Sequence, residues 1–516
     1  MLFSGLLLPA PARAQEPQSK ASFTGPAPEV IYYVLPRSFY DSNGDGQGDL
    51  NGLRQKLDYL QELGVTSVLT TPLCYSVFYH NYFAIDYRKI DPEYGTEAEL
   101  IALIRELHRR GMKFYLDMET QYVTEDDRWF RKAKDHPGSR YSQYFFRDSI
   151  PQILQSYHGE SRLLNRANMY HPAVKKYFYR LYKHWLDPNG DGRFDDGVDG
   201  FRIDHIMDDL DFQGRQINLL AGYWKPLFEE LRAIRPDIRI IGEQAEWQSY
   251  GAEYFKRADL DALFAFQIAG AIMDAGKELL VQRIDSTYRI TPPGKEQLIF
   301  IENHDLDRYA SRVGGNLPRL KIAAALNLLL KGTPLLYYGQ ELGMKGVGVG
   351  TAPNDANDIP RREAFEWFRE VEQPGMALWY KDTGPWWTNS TLKPGDGISL
   401  EEETADSASL WHCYRQLIAL RRQNTAISGG AFRFLDHHNG QILSFFRWDD
   451  RQTVLVVLNL ADTPQQVAFQ TADAPAPLRR EAMQLLWSAG QPGRIRLDEG
   501  RLMLALEPYG AVVYQF

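Results

Sequence analysis

The sequence is poor in cysteine: only Cys74 and Cys413 occur among 516 residues. A single pair cannot staple a chain of this length, so its stability must come from a hydrophobic core. Both lie in apolar segments, where two buried free thiols are expected rather than a bridge. Long hydrophobic runs are also missing. The nearest candidate, "IAAALNLLL", is well short of the roughly 18 apolar residues that a membrane-spanning helix needs, so no membrane partner is expected. There is no basic stripe either: 58 Lys and Arg are interspersed with 67 Asp and Glu, for a formal charge of -9. That balance argues against nucleic acid as a partner. Finally, no Lys or Arg precedes the short apolar run in "MLFSGLLLPAPARAQEPQ". The positive flank of a signal peptide is therefore absent, yet Ala12-Arg13-Ala14 before Gln15 has the small-x-small spacing of a signal-peptidase site. Residues 1–14 are expected to be a signal peptide and 15–27 a linker, with export to the periplasm or the exterior.

What is present is ordinary globular material, 44% hydrophobic and 24% charged, enough for two or three domains. From about residue 28, short apolar runs alternate with longer helical patterns. The runs are "VIYYVLP", "VTSVLTTP", "KFYLDM", "VDGFRID", "IRIIGE", "LDALFAF", "QLIFIENHD" and "PLLYYG". Eight strands separated by helices such as "EAELIALIRELHRRG" predict an α/β fold, a parallel (β/α)8 TIM barrel over 28–118 and 171–424. Residues 119–170 are polar, aromatic and without helical period, and read as a small inserted domain. From 425 to 516 the pattern changes to alternating runs such as "QTVLVVLNL" and "GAVVYQF", which predict a C-terminal antiparallel β-sandwich. The Gly-, Pro- and Trp-rich stretch 345–405 reads as a long barrel loop.

Chemistry in such a barrel collects at the C-terminal ends of its strands. Asp117 ends the third predicted strand, Asp204 the fourth, Glu243 the fifth and Asp305 the seventh. In "GFRID", Arg202 and Asp204 are two apart and share one strand face. Three or four carboxylates around one mouth, with Arg202 beside Asp204 and His304 beside Asp305, suit a reaction that develops positive charge, such as glycoside cleavage. Each carboxylate taken alone reads equally well as a buried ion pair or a helix cap.

The sequence resembles the α-amylase superfamily, glycoside hydrolase family 13, from about residue 28 to the end. "GFRID", "GEQAEW" and "FIENHD" are similar to that family's second, third and fourth motifs, and "HNYFAIDYRKIDPEYGT" and "GVTSVLTTP" to its accessory signatures. The resemblance implies a retaining hydrolase of maltooligosaccharides or related α-glucans, with Asp204 as nucleophile, Glu243 as acid/base and Asp305 as a sugar-binding carboxylate. It further implies that Arg202 and His304 contact the nucleophile and the sugar, and that Tyr82, beside His80, lies under the reacting glucose. The first motif departs: "DMETQY" keeps Asp117 but has Gln121 and Tyr122 where the family shows Asn-His. Tyr122 then occupies the place of a sugar-binding histidine, and the calcium ion often held by the asparagine is put in doubt. On this reading alone, restoring Asn-His should raise activity on α-1,4-glucans by roughly one to two powers of ten. Met207 and Asp208 replace a Lys-His pair that lines acceptor subsites, which suggests a specialised enzyme. A glucan transferase of the same fold and a non-catalytic carbohydrate-binding relative are the alternatives.

One metal-loop pattern occurs twice. "DSNGDGQGD" and "DPNGDGRFD" each place Asp, Asn, Asp and Asp at positions 1, 3, 5 and 9, oxygen donors that suit calcium, with a backbone carbonyl at position 7. The first set is Asp41, Asn43, Asp45, Asp49 and the Gln47 carbonyl, similar to the calcium loop of oligo-1,6-glucosidase-like family members. The second is Asp187, Asn189, Asp191 and Asp195, which equally suits a turn without metal.

Overall fold

The computed structural model describes residues 28–146, 152–274, 276–350, 354–478, 482–491, 495–498 and 500–516. The segments read as signal peptide and linker, 1–14 and 15–27, lie outside the described residues. Eight parallel strands close into a barrel: β1 (Ile31–Val34), β2 (Ser67–Thr70), β3 (Lys113–Met118), β4 (Gly200–Ile206), β5 (Arg239–Gln244), β6 (Ala262–Phe264), β7 (Glu296–Ile299) and β8 (Thr333–Tyr337). Each of the eight apolar runs overlaps one of them, with ends that differ by two residues at most where the strand extends beyond the run. They are mostly apolar rather than alternating because helices cover the outside while packed side chains fill the inside, the polar exceptions collecting toward their ends; β1, β2 and β8 are buried at every position.

The helices between strands follow local rules. Glu97–Arg109 starts at a capping box, in which Thr96 accepts from the Glu99 N–H and the Glu99 carboxylate accepts from the Thr96 N–H. It buries Leu100, Leu103, Ile104 and Leu107, one face of a 3.6-residue period.

Two excursions reach over the C-terminal mouth. After β2, the hairpin of Cys74–Ser76 and Ala84–Ile90 carries His80 and Tyr82 between its strands. After β3 comes a small sheet in which Ser161–Ala167 pairs with Tyr122–Thr124, Phe145–Phe146 and Gln152–Gln155. That segment also holds a helix, Arg128–Asp135, which its sequence does not advertise; Asp127 caps it and Trp129 and Phe130 anchor it.

The C-terminal part is an antiparallel five-stranded sheet, starting at Ala431–Phe434 and ending in chain order with Ala511–Gln515, packed on a three-stranded one. Phe446, Leu455, Val467, Leu504 and Val512 lie in the core they share. Arg447 joins this unit to the barrel by donating to the Leu329 carbonyl at 2.9 Å. Cys74 and Cys413 are both buried and free. Among the described residues no helix is long and apolar enough to cross a membrane.

Candidate active site

Parallel pairing places Arg202 of β4 directly beside Asp117 of β3. With Arg202 and Asp204 on one face of β4, the guanidinium lies at the centre of the barrel mouth. Its Nη1 donates to both Asp117 oxygens at 2.8 Å and to Asp204 Oδ1, and its Nη2 donates to Glu243 Oε2. A fully buried cation thus serves three carboxylates from three neighbouring strands. Asp117 is itself enclosed, accepting also from the hydroxyls of Tyr33 and Tyr82 at 2.7 Å each. It is fully buried, so it anchors Arg202 and Tyr82 beneath the site instead of facing the mouth.

The pairing of β4 with β5 slips at the critical point. Ile203 faces Gly242, the next pair is Ile206 with Gln244, and so Asp204 and His205 stand opposite Glu243 alone. Such an extra residue bends the strand and re-aims side chains. Strict alternation would send His205 to the outer face; here its Nδ1 meets Asp204 Oδ2 and lies 3.5 Å from Glu119 Oε2. Its backbone N–H donates to Glu243 Oε2 at 3.1 Å. Neither His205 nor Glu119 is singled out by the motifs, although His205 directly follows "GFRID" and Glu119 stands inside "DMETQY".

These contacts separate the carboxyl groups electrostatically. Burial alone would raise Asp204, but the His205 and Arg202 charges outweigh it and hold the carboxyl well below the usual range. Burial pushes Glu243 up to about 8 against the opposing pull of Arg202, with the Asp204 and Asp305 charges adding to the rise. Glu119, buried and next to Asp204, is likewise pushed up to about 8, although His205 opposes the shift. His205 is raised well above its ordinary value because Asp204 and Glu119 overcome the cost of burial.

The remaining sequence-derived residues gather around this centre. Asp305 takes Arg362 Nη2 at 3.0 Å and faces His304 Nε2 at 3.2 Å. Arg362 comes from the loop after β8 and donates also to the His304 carbonyl and the Tyr79 hydroxyl; no motif marks it as a site residue. Tyr82 is 7% exposed and stacks on His304, ring centroids 5.2 Å apart. His80 takes the Tyr82 N–H on Nδ1 at 3.1 Å. Burial, with the Arg362 charge, holds His80 and His304 well below the ordinary histidine value, so both are neutral near pH 7. Tyr122 stands at the rim with its ring against Phe83 and His205, at 5.7 and 5.6 Å. The Gln121 side-chain amide donates to the Asp204 carbonyl and to Glu119 Oε2, both at 3.2 Å. Asp208 accepts from Arg257 at 2.8 Å.

The two candidate metal loops are wound alike. In the first, Asp41 accepts from the N–H groups of Asn43, Gly44 and Gly46, and Asp45 from that of Gln47. Gly44 and Gly46 supply the left-handed turns, with φ of 85° and 88°. The Gln47 side chain is drawn off to Arg37, and among the described residues no backbone donor reaches its carbonyl. Asp49 also caps the following helix through Gly52 N–H at 2.7 Å. The donors are all oxygen, which fits calcium. The second loop repeats the turns around Asp187, with Asn189 and Asp191 exposed. Arg105 stands 3.7 Å from Asp195 and 3.5 Å from Asp196, so part of its charge is already met. Glu119, Asp204 and His205 also bring possible ligand atoms within 4.8 Å of one another. That set mixes an imidazole with two carboxyl groups around a charged histidine, which does not suit calcium.

A parallel barrel with carboxylates from β4, β5 and the β7 loop converging at its C-terminal mouth is the frame of a glycoside hydrolase. Residues 33–430 match the family model for the α-amylase catalytic domain, and residues 432–513 match that for the maltogenic amylase C-terminal domain. The chain belongs to the α-amylase family of glycoside hydrolases. It is 29% identical over 455 residues to alpha-amylase 3 of Dictyoglomus thermophilum, covering 84% of each chain. It is 26% identical to the oligo-1,6-glucosidase of Parageobacillus thermoglucosidasius, covering 86% of this chain and 93% of that one. The crystal structure of an α-amylase from H. orenii superposes with a TM-score of 0.79 at 24% identity, over 95% of this chain and 100% of the other.

Proposed function

We propose that the protein is a retaining α-glucan hydrolase that cleaves α-glucosidic bonds of maltooligosaccharides or related oligosaccharides. In this reading Asp204 is the nucleophile, Glu243 the acid/base and Asp305 a carboxylate that grips the sugar. One arrangement carries it: Asp204 accepts from both Arg202 and His205, which favours its ionised form, while Glu243, buried beside Asp204 and Asp305, is pushed up to about 8. Two carboxyl groups forced into opposite protonation states are what the double displacement requires. Their sharing of one guanidinium is in keeping with the roughly 5 Å separation of retaining enzymes.

Asp204 attacks the anomeric carbon while Glu243 gives its proton to the departing glycosidic oxygen. The resulting glycosyl ester is cleaved by water, which Glu243, now ionised, deprotonates. Glu243 serves the first step only when protonated, so kcat/KM should fall as pH rises through about 8. A flat kcat/KM between about pH 7 and 10 would count against this assignment.

The deciding experiment incubates the purified protein with maltooligosaccharides, pullulan, isomaltose, sucrose and trehalose and follows products over time. Shorter products released first as the α-anomer fit retaining hydrolysis. Products longer than the substrate would make it a transferase, a reading favoured by the same covalent step and by the capture of acceptor-side Asp208 by Arg257. No turnover of any of them would favour a carbohydrate-binding relative.

We further assign a structural calcium ion to Asp41, Asn43, Asp45, Asp49 and the Gln47 carbonyl, where it would fasten the loop before the first barrel helix. An ion that binds only the folded loop adds stability by mass action. Chelation should lower the melting temperature by about 3 °C or more; an unchanged melting curve, with no calcium by elemental analysis, removes the site. Export also stays a reading of "ARA" before Gln15, to be tested by the N-terminal sequence of mature protein.

A further inference from the structure

Asp204 has no carboxylate oxygen left without a hydrogen bond. Oδ1 is held by Arg202, which is fully buried and fastened to two other carboxylates, so this bond cannot be given up without breaking the centre of the site. Oδ2 is held by His205, and this bond is of a different kind. The imidazole keeps 25% of its side chain exposed, it hangs from the irregular point of β4, and its Nδ1 already has a second acceptor in Glu119 at 3.5 Å.

Glu119 is placed to wait for it. Its carboxyl is buried, both oxygens are fixed by the main-chain and side-chain amides of Gln121, and His205 is the one cation within ion-pair distance of it among the described residues. Near pH 7 this buried carboxyl is mostly protonated, like Glu243, and its oxygens can still accept the Nδ1–H of a histidine that turns toward it. The groups facing His205 are therefore Asp204 and Arg202 on its own strand, Glu243 on β5, Glu119 after β3 and the Tyr122 ring from the inserted sheet.

We propose that His205 is a catalytic residue of this chain: its Nδ1–H holds the attacking oxygen of Asp204 in the resting enzyme, passes to Glu119 when sugar enters, and returns when the glycosyl ester is broken. The proposal rests on Asp204 being the nucleophile. In the first half-reaction Oδ2 forms the bond to the anomeric carbon, and the electron pair of the glycosidic bond leaves with the departing oxygen, which takes its proton from Glu243. In the second, water loses a proton to Glu243 and bonds to the anomeric carbon, and the ester electron pair returns to Oδ2, where His205 meets it. His205 keeps its proton throughout. A donor on Oδ2 makes Asp204 a weaker nucleophile and a better leaving group, so the pair sets the balance between the two half-reactions.

The test uses full-length His205→Ala, His205→Gln and Glu119→Gln, with 4-nitrophenyl α-glucoside and maltotriose as substrates and a melting curve for each variant. With His205→Ala, release of the ester should become limiting. The expected results are a kcat at least about tenfold lower, a KM lower by a similar factor, and a pre-steady-state burst of nitrophenolate approaching one equivalent. His205→Gln retains an N–H donor of similar reach and should recover part of kcat. In Glu119→Gln the histidine stays on Asp204, so kcat/KM should fall about tenfold without a burst.

Equal losses in kcat and kcat/KM for His205→Ala with no burst, or no change in either, overturn the proposal. If that variant does not fold, His205→Gln with wild-type kinetics and Glu119→Gln without loss overturn it equally. An Asp204→Asn enzyme that still turns over would instead sink the underlying nucleophile assignment, so the two failures are distinguishable.

Discussion

Asp204→Asn is expected to cut turnover at least about a hundredfold, a barrier increase of about 2.7 kcal/mol, while leaving the melting temperature within a few degrees of wild type. The amide has nearly the shape of the carboxylate but cannot form a glycosyl ester. The fold should tolerate it for a reason visible in the site. The amide oxygen of the substituted side chain can still accept from Arg202 in place of Oδ1. Its NH2 group then faces His205 Nδ1, and an imidazole can answer by giving up its proton and accepting instead. Arg202 meanwhile keeps Asp117 and Glu243, so no buried cation is stranded. The identity of the lost step can be read in Asp204→Gly with added azide, a small anion that can enter the space left by the whole carboxyl group and attack in its place. Recovery of sugar release as a β-glycosyl azide identifies the nucleophile. More than about 1% residual activity without azide, well above the loss expected for a covalent catalyst, would mean that another group attacks.

Much of this site is legible in the sequence because it obeys periodicity. Each barrel strand overlaps an apolar run, and period-two alternation alone puts Arg202 and Asp204 on the same face. The carboxylates at strand ends meet at one mouth as a closed parallel barrel demands. What the sequence hides are features that arise between elements. His205 joins the site through a slip in the register of β4 on β5, and register is a property of two strands together that neither sequence displays. Glu119 looks like an ordinary loop acid, and its meaning comes only from the histidine across from it. Arg362 lies in a stretch without helical or strand period, so its partnership with Asp305 depends on how that loop folds back. Asp117 is recognisable as a strand-end carboxylate, but its burial beneath Arg202 follows from the three-dimensional order of the layers.

The departure at "DMETQY" leads to the second large effect, and the structure reverses its expected sign. Taken as a defective Asn-His motif, Gln121 and Tyr122 should improve when restored to Asn and His. In the folded protein they support the local centre instead. The Gln121 amide spans from the Asp204 carbonyl to Glu119; asparagine is one methylene shorter and cannot reach both from the same backbone. A net hydrogen bond worth about 1 kcal/mol is lost, more where it leaves a buried carboxyl unsatisfied. Tyr122→His removes ring contacts with Phe83 and His205, about 0.5 to 1.5 kcal/mol for an aromatic pair, and sets a second imidazole against one that is already charged. Together these come to about 2 kcal/mol, so the double variant should lose roughly ten- to a hundredfold in kcat/KM on whichever glucan the wild type prefers. Measuring kcat/KM for the double variant and for each single change across the same substrates checks the expectation. A gain on maltooligosaccharides would mean that residues 121 and 122 are a weakened form of the common sugar pocket, and would show that Tyr122 does not support His205.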